Sequence, residues 1–481
     1  DIMYDPYTYI HDLKIINLLN NGVAPPATFA RWSNDIQEIA ESTRLGIPIM
    51  FSTDPRHGAV LGAHVKGNQY FSQWPSREGQ LGLAATRNID LVREFGRVVA
   101  EEYRAVGLHM ILGPQIDLVT EPRWGRNAGC WSESAELTAE MTVAFLEGLG
   151  VKDPKNGALA MVKHWPGAGP HEKGFQNPRV ESFLVYPGDN LEYHLLPFRA
   201  AFEAGATATM PYYSFMEGET YPLSYSQYAI QELLREHLGF DGVACTDWGV
   251  TDWAAAGDAR DLTMKERFEM CINAGIDQFG MPTNEGISDW AWERRVRPDL
   301  IVDLVHEGRI SEERINESVK RILRQTFMLG LFENPYVDPA RAEQIVQSPE
   351  NQALGYQAQL ESIIMLTNNG ALPFSEATLE QVSNEYVARR TKVFVLGIDE
   401  KTARNYAEVV DDPTLADVAV VRVSVGRGGF PEEAMDMIKA IADTGVPTAV
   451  VMNLGSPVVI PQELFDIAAG TFTVFDVLDA P

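Results

Sequence analysis

The chain has 481 residues, 45% of them hydrophobic and 22% charged, so it is globular and long enough for two or more cores. Its 39 basic residues against 67 acidic ones leave a formal charge of −28, which argues against nucleic acid or an anionic membrane as partner and suits a neutral or cationic ligand. No apolar run reaches the ~20 residues of a membrane helix, and Cys130, Cys245 and Cys271 form neither a disulfide framework nor a zinc spacing.

Along the first two-thirds, short β-rich runs alternate with helical stretches. IPIMFST precedes Asp54, GLHMILG precedes Pro114 and ALAMV precedes Lys163; ATATM, GVACT and GIDQF follow before Pro211, Asp247 and Gly280. LVREFGRVVAEEYRAVG, SAELTAEMTVAFLEGLG and YHLLPFRAAFEAG between them carry helical periodicity. Repeated strand–helix units over roughly 300 residues predict a TIM-type (β/α) barrel. The early strands are followed by no Gly-x-Gly-x-x-Gly, which counts against a dinucleotide fold. ISEERINESVKRILRQTFMLGLFENP reads as a long closing helix capped by Ser311, and ENPYVDP breaks it. The division is expected near residue 335, with a barrel domain over 1–335 and a smaller α/β sandwich domain over 336–481, whose open sheet could extend past the residues given. SIIMLTNNG, KVFVLGI, ADVAVVRVSV and PTAVVMNLG supply strands of the second domain.

In a barrel, chemistry gathers at the C-terminal ends of the strands. The residues there are Asp54, Lys163, His164, Tyr212, Tyr213 and Asp247, with Arg123 and Arg126 on the loop GPQIDLVTEPRWGR. Asp247 could cap the next helix, or it could attack an electron-poor carbon as an ionised carboxylate. Trp248 beside it offers a flat apolar wall suited to a sugar ring. Lys163 and His164, ahead of a Pro/Gly-rich bend, can donate to vicinal hydroxyls, and Asp54 can accept from them. A metal site from His164 and His171 is not expected, because no third ligand accompanies them in that loop.

STDPRH, PRWGR, KHWPG, MPYYS and TDWG follow one another in an order that resembles glycoside hydrolase family 3. The resemblance runs from about residue 45 through ESVKRILRQTFMLGLFENPYVD and LESIIMLTNNGALPF. It implies a retaining exo-β-glycosidase of two domains, with Asp247 as nucleophile and Asp54, Arg123, Lys163, His164 and Tyr213 holding the terminal sugar. A β-glucosidase acting on β-glucosides or cello-oligosaccharides is expected first. The alternatives are a β-xylosidase and a non-catalytic carbohydrate-binding protein on the same scaffold.

The sequence departs from the family pattern twice. AGPHEKGFQ places Gly174 and Gln176 where the hexosaminidase branch carries an Asp-x-His pair, which disfavours that activity. The second domain offers Glu432, and after it Glu433, as acid/base in GRGGFPEEAMD, although both also suit a helix start. The expected partners are a β-linked oligosaccharide or an aryl or alkyl glycoside, with no cofactor, metal, nucleic acid or membrane; a homodimer is compatible with them. The sequence starts at Asp1 without a signal pattern, as a processed chain does, and a secreted or periplasmic location is expected.

Overall fold

The computed structural model describes residues 6–58, 68–75, 79–172, 174, 182–281, 297–383, 385–426 and 429–475. Its first module is built on strands β1 (Asn17–Leu19), β2 (Met50–Thr53), β3 (Met110–Ile111), β4 (Leu159–Trp165), β6 (Ala208–Pro211) and β8 (Val243–Ala244). They form one parallel sheet in the order β1-β2-β3-β4-β6-β8, while β5 (Phe183–Leu184) pairs separately with β7 (Phe215–Met216). The expected run GIDQF adds only a bridge, Cys245 to Gln278. Gln278 also accepts from Asn17 Nδ2 at 3.1 Å, so the last segment turns back towards the first strand. Sheet and helices together make a TIM-like barrel.

The strand sequences are apolar on both faces, and the structure sorts the two faces. Met50, Met110, Leu159, Met161, Ala208, Met210, Val243 and Cys245 meet in one cluster inside the barrel, closed by Leu329 and Leu331 from the end of helix Glu312–Met328. Their neighbours Phe51, Ile111, Ala160, Val162 and Ala244 point outward into the helix layer. A strand with an apolar residue at every position is what a sheet covered on both faces requires. β1 was not foreseen, because a three-residue strand carries almost no period-2 signal.

Capping residues start the helices where the sequence places them. Asn88 caps Ile89–Val106, Ser134 caps Ala135–Leu149, and Ser311 accepts from the Arg314 N–H as expected. Helices 89–106 and 135–149 approach through glycine: a Cβ at Gly148 would stand 1.9 Å from the Arg93 carbonyl oxygen.

Two helices, Pro339–Ile345 and Pro349–Glu361, pack back on the barrel helices 26–41 and 89–106. Beyond them lie β9 (Ile364–Asn368), the antiparallel pair β10 (Ala377–Val382) and β11 (Glu385–Arg390), then β12 (Lys392–Leu396), β13 (Glu408–Val409), β14 (Val418–Val425), β15 (Thr448–Leu454) and β16 (Gly470–Val474). The second sheet runs β13-β12-β14-β15-β16-β9, parallel except for β9. Val421, Val423, Ile438, Val450, Met452 and Leu464 form its core, and Leu81 and Ala85 of the barrel pack against that core. This is the α/β sandwich domain, held to the barrel by apolar contact.

Candidate active site at the barrel mouth

Asp247 follows β8, and its backbone is pinned on one side. Thr246 N–H donates to Gln278 O (3.0 Å), Gly280 N–H to Thr246 Oγ1 (2.9 Å), and Gly249 N–H to Gly280 O (2.8 Å). Asp247 is 7% exposed. Its Oδ1 accepts from the Trp248 N–H at 2.7 Å, and its Oδ2, buried, has no hydrogen-bond partner among the described residues. Leaving a buried carboxylate oxygen unpaired costs on the order of 1–3 kcal/mol or more, and such groups persist where function uses them. The Trp248 indole packs so closely on Gly280 that a Cβ there would stand 2.8 Å from its nearest ring atom.

Asp54 follows β2. Its Oδ2 accepts from Asn21 Nδ2 at 3.0 Å, and its Oδ1 lies 3.3 Å from Lys163 Nζ. Burial alone would raise its pKa; the Lys163 charge, the Asn21 bond and the Arg126 charge outweigh it and hold the group below its ordinary value. Arg56 braces this corner by donating to the carbonyls of Gly22 (2.7 Å) and Asn20 (2.5 Å), which keeps Asn21 against Asp54.

β4 carries the next two groups. Its end runs beside residues 114–116, with Ile116 N–H donating to Lys163 O at 2.7 Å, and this brings Asp117 under His164. The Lys163–His164 peptide is cis. Lys163 reaches Asp54, whereas His164 Nδ1 lies 2.9 Å from Asp117 Oδ2. His164 is pushed below its usual pKa by burial; Asp117 opposes that shift and Arg126 adds to it. Tyr212 stacks edge-on over the imidazole at 4.6 Å between ring centres. Tyr213 donates to Trp248 O at 2.9 Å, and burial followed by the Asp247 charge raises its pKa well above the ordinary value.

The structure thus brings together Asp54, Lys163, His164, Tyr213, Asp247 and Trp248, with the charge of Arg126 acting on Asp54, His164 and Tyr213. Arg123 is not part of this cluster. Its guanidinium is 69% exposed and forks onto Glu121 at 2.7 Å and 2.8 Å. Of the two arginines of PRWGR, Arg126 is therefore the one whose charge reaches the strand-end groups. Glu432 is exposed as the first residue of helix Glu432–Ala442, with no hydrogen bond or ion pair to the cluster among the described residues. Gln176 and residues 427–428 of the GRGGF loop lie outside the described residues, and Gly174 packs on the Arg123 stem.

Asn21 and Asp117 were missed in the sequence. Asp117 did leave a trace, as a lone carboxylate in the apolar run GPQIDLV. Asn21 follows a strand too short to register. A groove of about 640 Å³ lined by Arg97, Arg104, Tyr336 and Arg341 lies by the turn before β4, at the other end of the strands, and holds none of these groups. No group of His, Cys, Asp and Glu among the described residues is arranged to hold a metal ion.

A (β/α) barrel with ionisable and aromatic side chains at its C-terminal rim, followed by an α/β sandwich domain, has the plan of a two-domain barrel enzyme. The chain belongs to glycosyl hydrolase family 3: the model of that family's N-terminal domain matches residues 8–325. A probable β-glucosidase C from Aspergillus flavus is 39% identical over 478 residues, covering 93% of this chain and 71% of the fungal protein. A periplasmic β-glucosidase/β-xylosidase from Dickeya chrysanthemi is 36% identical over 82% of this chain and 61% of its own length. Among solved structures, a β-glucosidase from Erythrobacter marinus superposes with a TM-score of 0.80 at 22% identity, over 98% of this chain and 70% of that one. A Listeria innocua β-glucosidase bound to isofagomine gives 0.77, over 97% and 66%. At that identity the two structures establish the shared fold.

Proposed function

We propose that the chain is a retaining exo-β-glucosidase in which Asp247 is the nucleophile. The observation that carries the assignment is its carboxylate: one oxygen is fixed by the Trp248 N–H, and the other is buried and unpartnered at the strand end. In this reading Asp247 attacks the anomeric carbon and the leaving oxygen takes a proton from an acid. Water then releases the sugar from the glycosyl-enzyme. Asp54, Lys163, His164, Tyr213 and Arg126 surround the terminal sugar, and Trp248 walls the site beside Asp247. A 2-deoxy-2-fluoro glucoside should label Asp247 covalently; a label on another residue, or near-normal turnover by Asp247→Asn, removes the assignment.

Glu432 is proposed as proton donor because it opens the helix that follows β14 and the Gly-rich loop of the second domain. Glu432→Ala should slow substrates with poor leaving groups far more than activated aryl glucosides, and azide should rescue the second step as a β-glycosyl azide. Equal slowing of both substrates, or of neither, without azide product returns Glu432 to a helix start.

β-Xylosidase activity is the second reading, favoured by the double name of the Dickeya relative. The kcat/KM ratio on nitrophenyl β-glucoside and β-xyloside separates the two. A domain division near residue 335 is proposed from the break after helix 312–328. A secreted or periplasmic location is proposed from the Dickeya and Salmonella relatives named periplasmic; among the described residues no helix is long and apolar enough to cross a membrane.

A further inference from the structure

We infer that Asp117 is a positioning residue that fixes the tautomer of His164, so that His164 accepts a hydrogen bond from the substrate instead of donating one. The inference rests on the reading of the strand-end cluster as a sugar site.

Asp117 is fully buried. Its carboxylate takes the His164 backbone N–H at 3.2 Å to each oxygen, the Ala168 N–H at 2.6 Å and His164 Nδ1 at 2.9 Å. An ionised carboxylate can only accept, so Nδ1 must carry the proton in that last bond. Burial holds His164 below its usual pKa, which leaves the ring neutral near pH 7 with a single N–H. That proton is spent on Asp117. Nε2, the other ring nitrogen, is left with a bare lone pair.

This reverses the expectation that the imidazole donates to a sugar hydroxyl. It also balances the site. Lys163 and Arg126 are donors only, whereas each hydroxyl of a neutral sugar both donates and accepts. Asp54 and His164 Nε2 add acceptors to that of Asp247, so a buried hydroxyl proton need not be stranded.

Two measurements test the assignment. The first is the ¹⁵N spectrum of histidine-labelled protein, with His164 assigned by its absence in His164→Gln. Near neutral pH, His164 Nε2 should resonate as an unprotonated ring nitrogen and Nδ1 as a protonated one. An Nε2–H tautomer, or an imidazolium, overturns the inference whether or not the chain hydrolyses any glucoside. The second is kcat/KM on aryl β-glucosides whose 3-, 4- or 6-hydroxyl is replaced in turn by hydrogen and by fluorine, each compared in the wild type and in His164→Ala to cancel inductive effects. Fluorine accepts but cannot donate. At the hydroxyl facing Nε2, both replacements should lose the same factor, about tenfold or more; retention by the fluoro sugar alone overturns the inference. Asp117→Asn can donate its new amide N–H to Nδ1, as an Asp→Asn change behind a histidine does elsewhere. It should then move the proton to Nε2 and let the fluoro sugar outperform the deoxy one. An unchanged His164 tautomer in that variant overturns the role of Asp117, and if it fails to fold, the wild-type spectrum and the His164→Ala comparison decide. Failure of the assigned nucleophile would appear separately, as absence of turnover and of labelling at Asp247.

Discussion

Glu102 sits on helix 89–106 at 0% exposure and gathers donors from three separate segments. Its Oε2 accepts from His57 Nε2 (3.1 Å) and the Ser72 N–H (3.0 Å). Its Oε1 accepts from the Ser72 hydroxyl, the Gln347 N–H (3.0 Å) and Asn351 Nδ2 (3.3 Å). One buried carboxylate therefore ties the barrel wall to the helix at 349–361 that leads into the second domain. Burial would raise its pKa, but the His57 bond and charge and the Ser72 bonds outweigh it and hold the group below its ordinary value. Glu102→Gln keeps the volume and turns one acceptor oxygen into an NH₂. Whichever oxygen is replaced, that NH₂ faces at least one backbone N–H. One or two charge-assisted bonds at about 1.5–3 kcal/mol each are lost and a buried donor is stranded, so the variant should be destabilised by about 3–5 kcal/mol. Thermal unfolding by circular dichroism at pH 7 should show a Tm lower by roughly 5 °C or more. The pH dependence adds a sign. Because the folded pKa is depressed, the contribution of Glu102 is complete above the unfolded value of about 4.3 and fades as pH falls through the lower folded value. The gap between wild type and Glu102→Gln should hold from pH 7 to about 5 and narrow below about 4. A variant within a degree of wild type at pH 7, or a gap unchanged at low pH, refutes the reasoning.

Three further outcomes are expected. Asp54→Asn leaves an amide oxygen for Lys163 but removes the charge, and it should lower kcat/KM on β-glucosides about 10²–10³-fold with little change in Tm; wild-type kinetics would dismiss Asp54 from the site. Asp54→Ala is the poorer probe, because Lys163 is 4% exposed and its buried ammonium would lose that partner. Arg126→Ala should reduce kcat/KM at least ~10-fold while Arg123→Ala stays near wild type, since Arg123 is exposed on Glu121; the opposite order in steady-state assays would return Arg123 to the sugar. Gly148→Ala should destabilise by about 1–3 kcal/mol or more, because its Cβ would fall 1.9 Å from the Arg93 carbonyl oxygen; an unchanged denaturation midpoint would show that the two helices can part freely.

Much of the architecture was legible in one dimension because it rests on local signals. Alternating apolar runs and capped helices mark the barrel, and Ser311 before Glu312 and Glu313 marks the closing helix correctly. Strand-end positions also single out Asp54, Lys163, His164, Tyr213 and Asp247, since a barrel collects every strand's C-terminal residue at one rim. Side-chain direction is a different matter. Arg123 and Arg126 stand three apart in one loop, and sequence spacing cannot say which turns inward; only the fold puts Glu121 against one and the strand-end charges against the other. Asp117 becomes a partner of His164 because parallel segments 47 residues apart are laid side by side, a non-local contact with no periodic trace. The residue types that stand at the strand ends were thus set by the sequence itself. Which of their atoms are already engaged, such as Nδ1 of His164 and one oxygen of Asp247, was decided by tertiary packing, because hydrogen-bond partners are chosen by proximity in space.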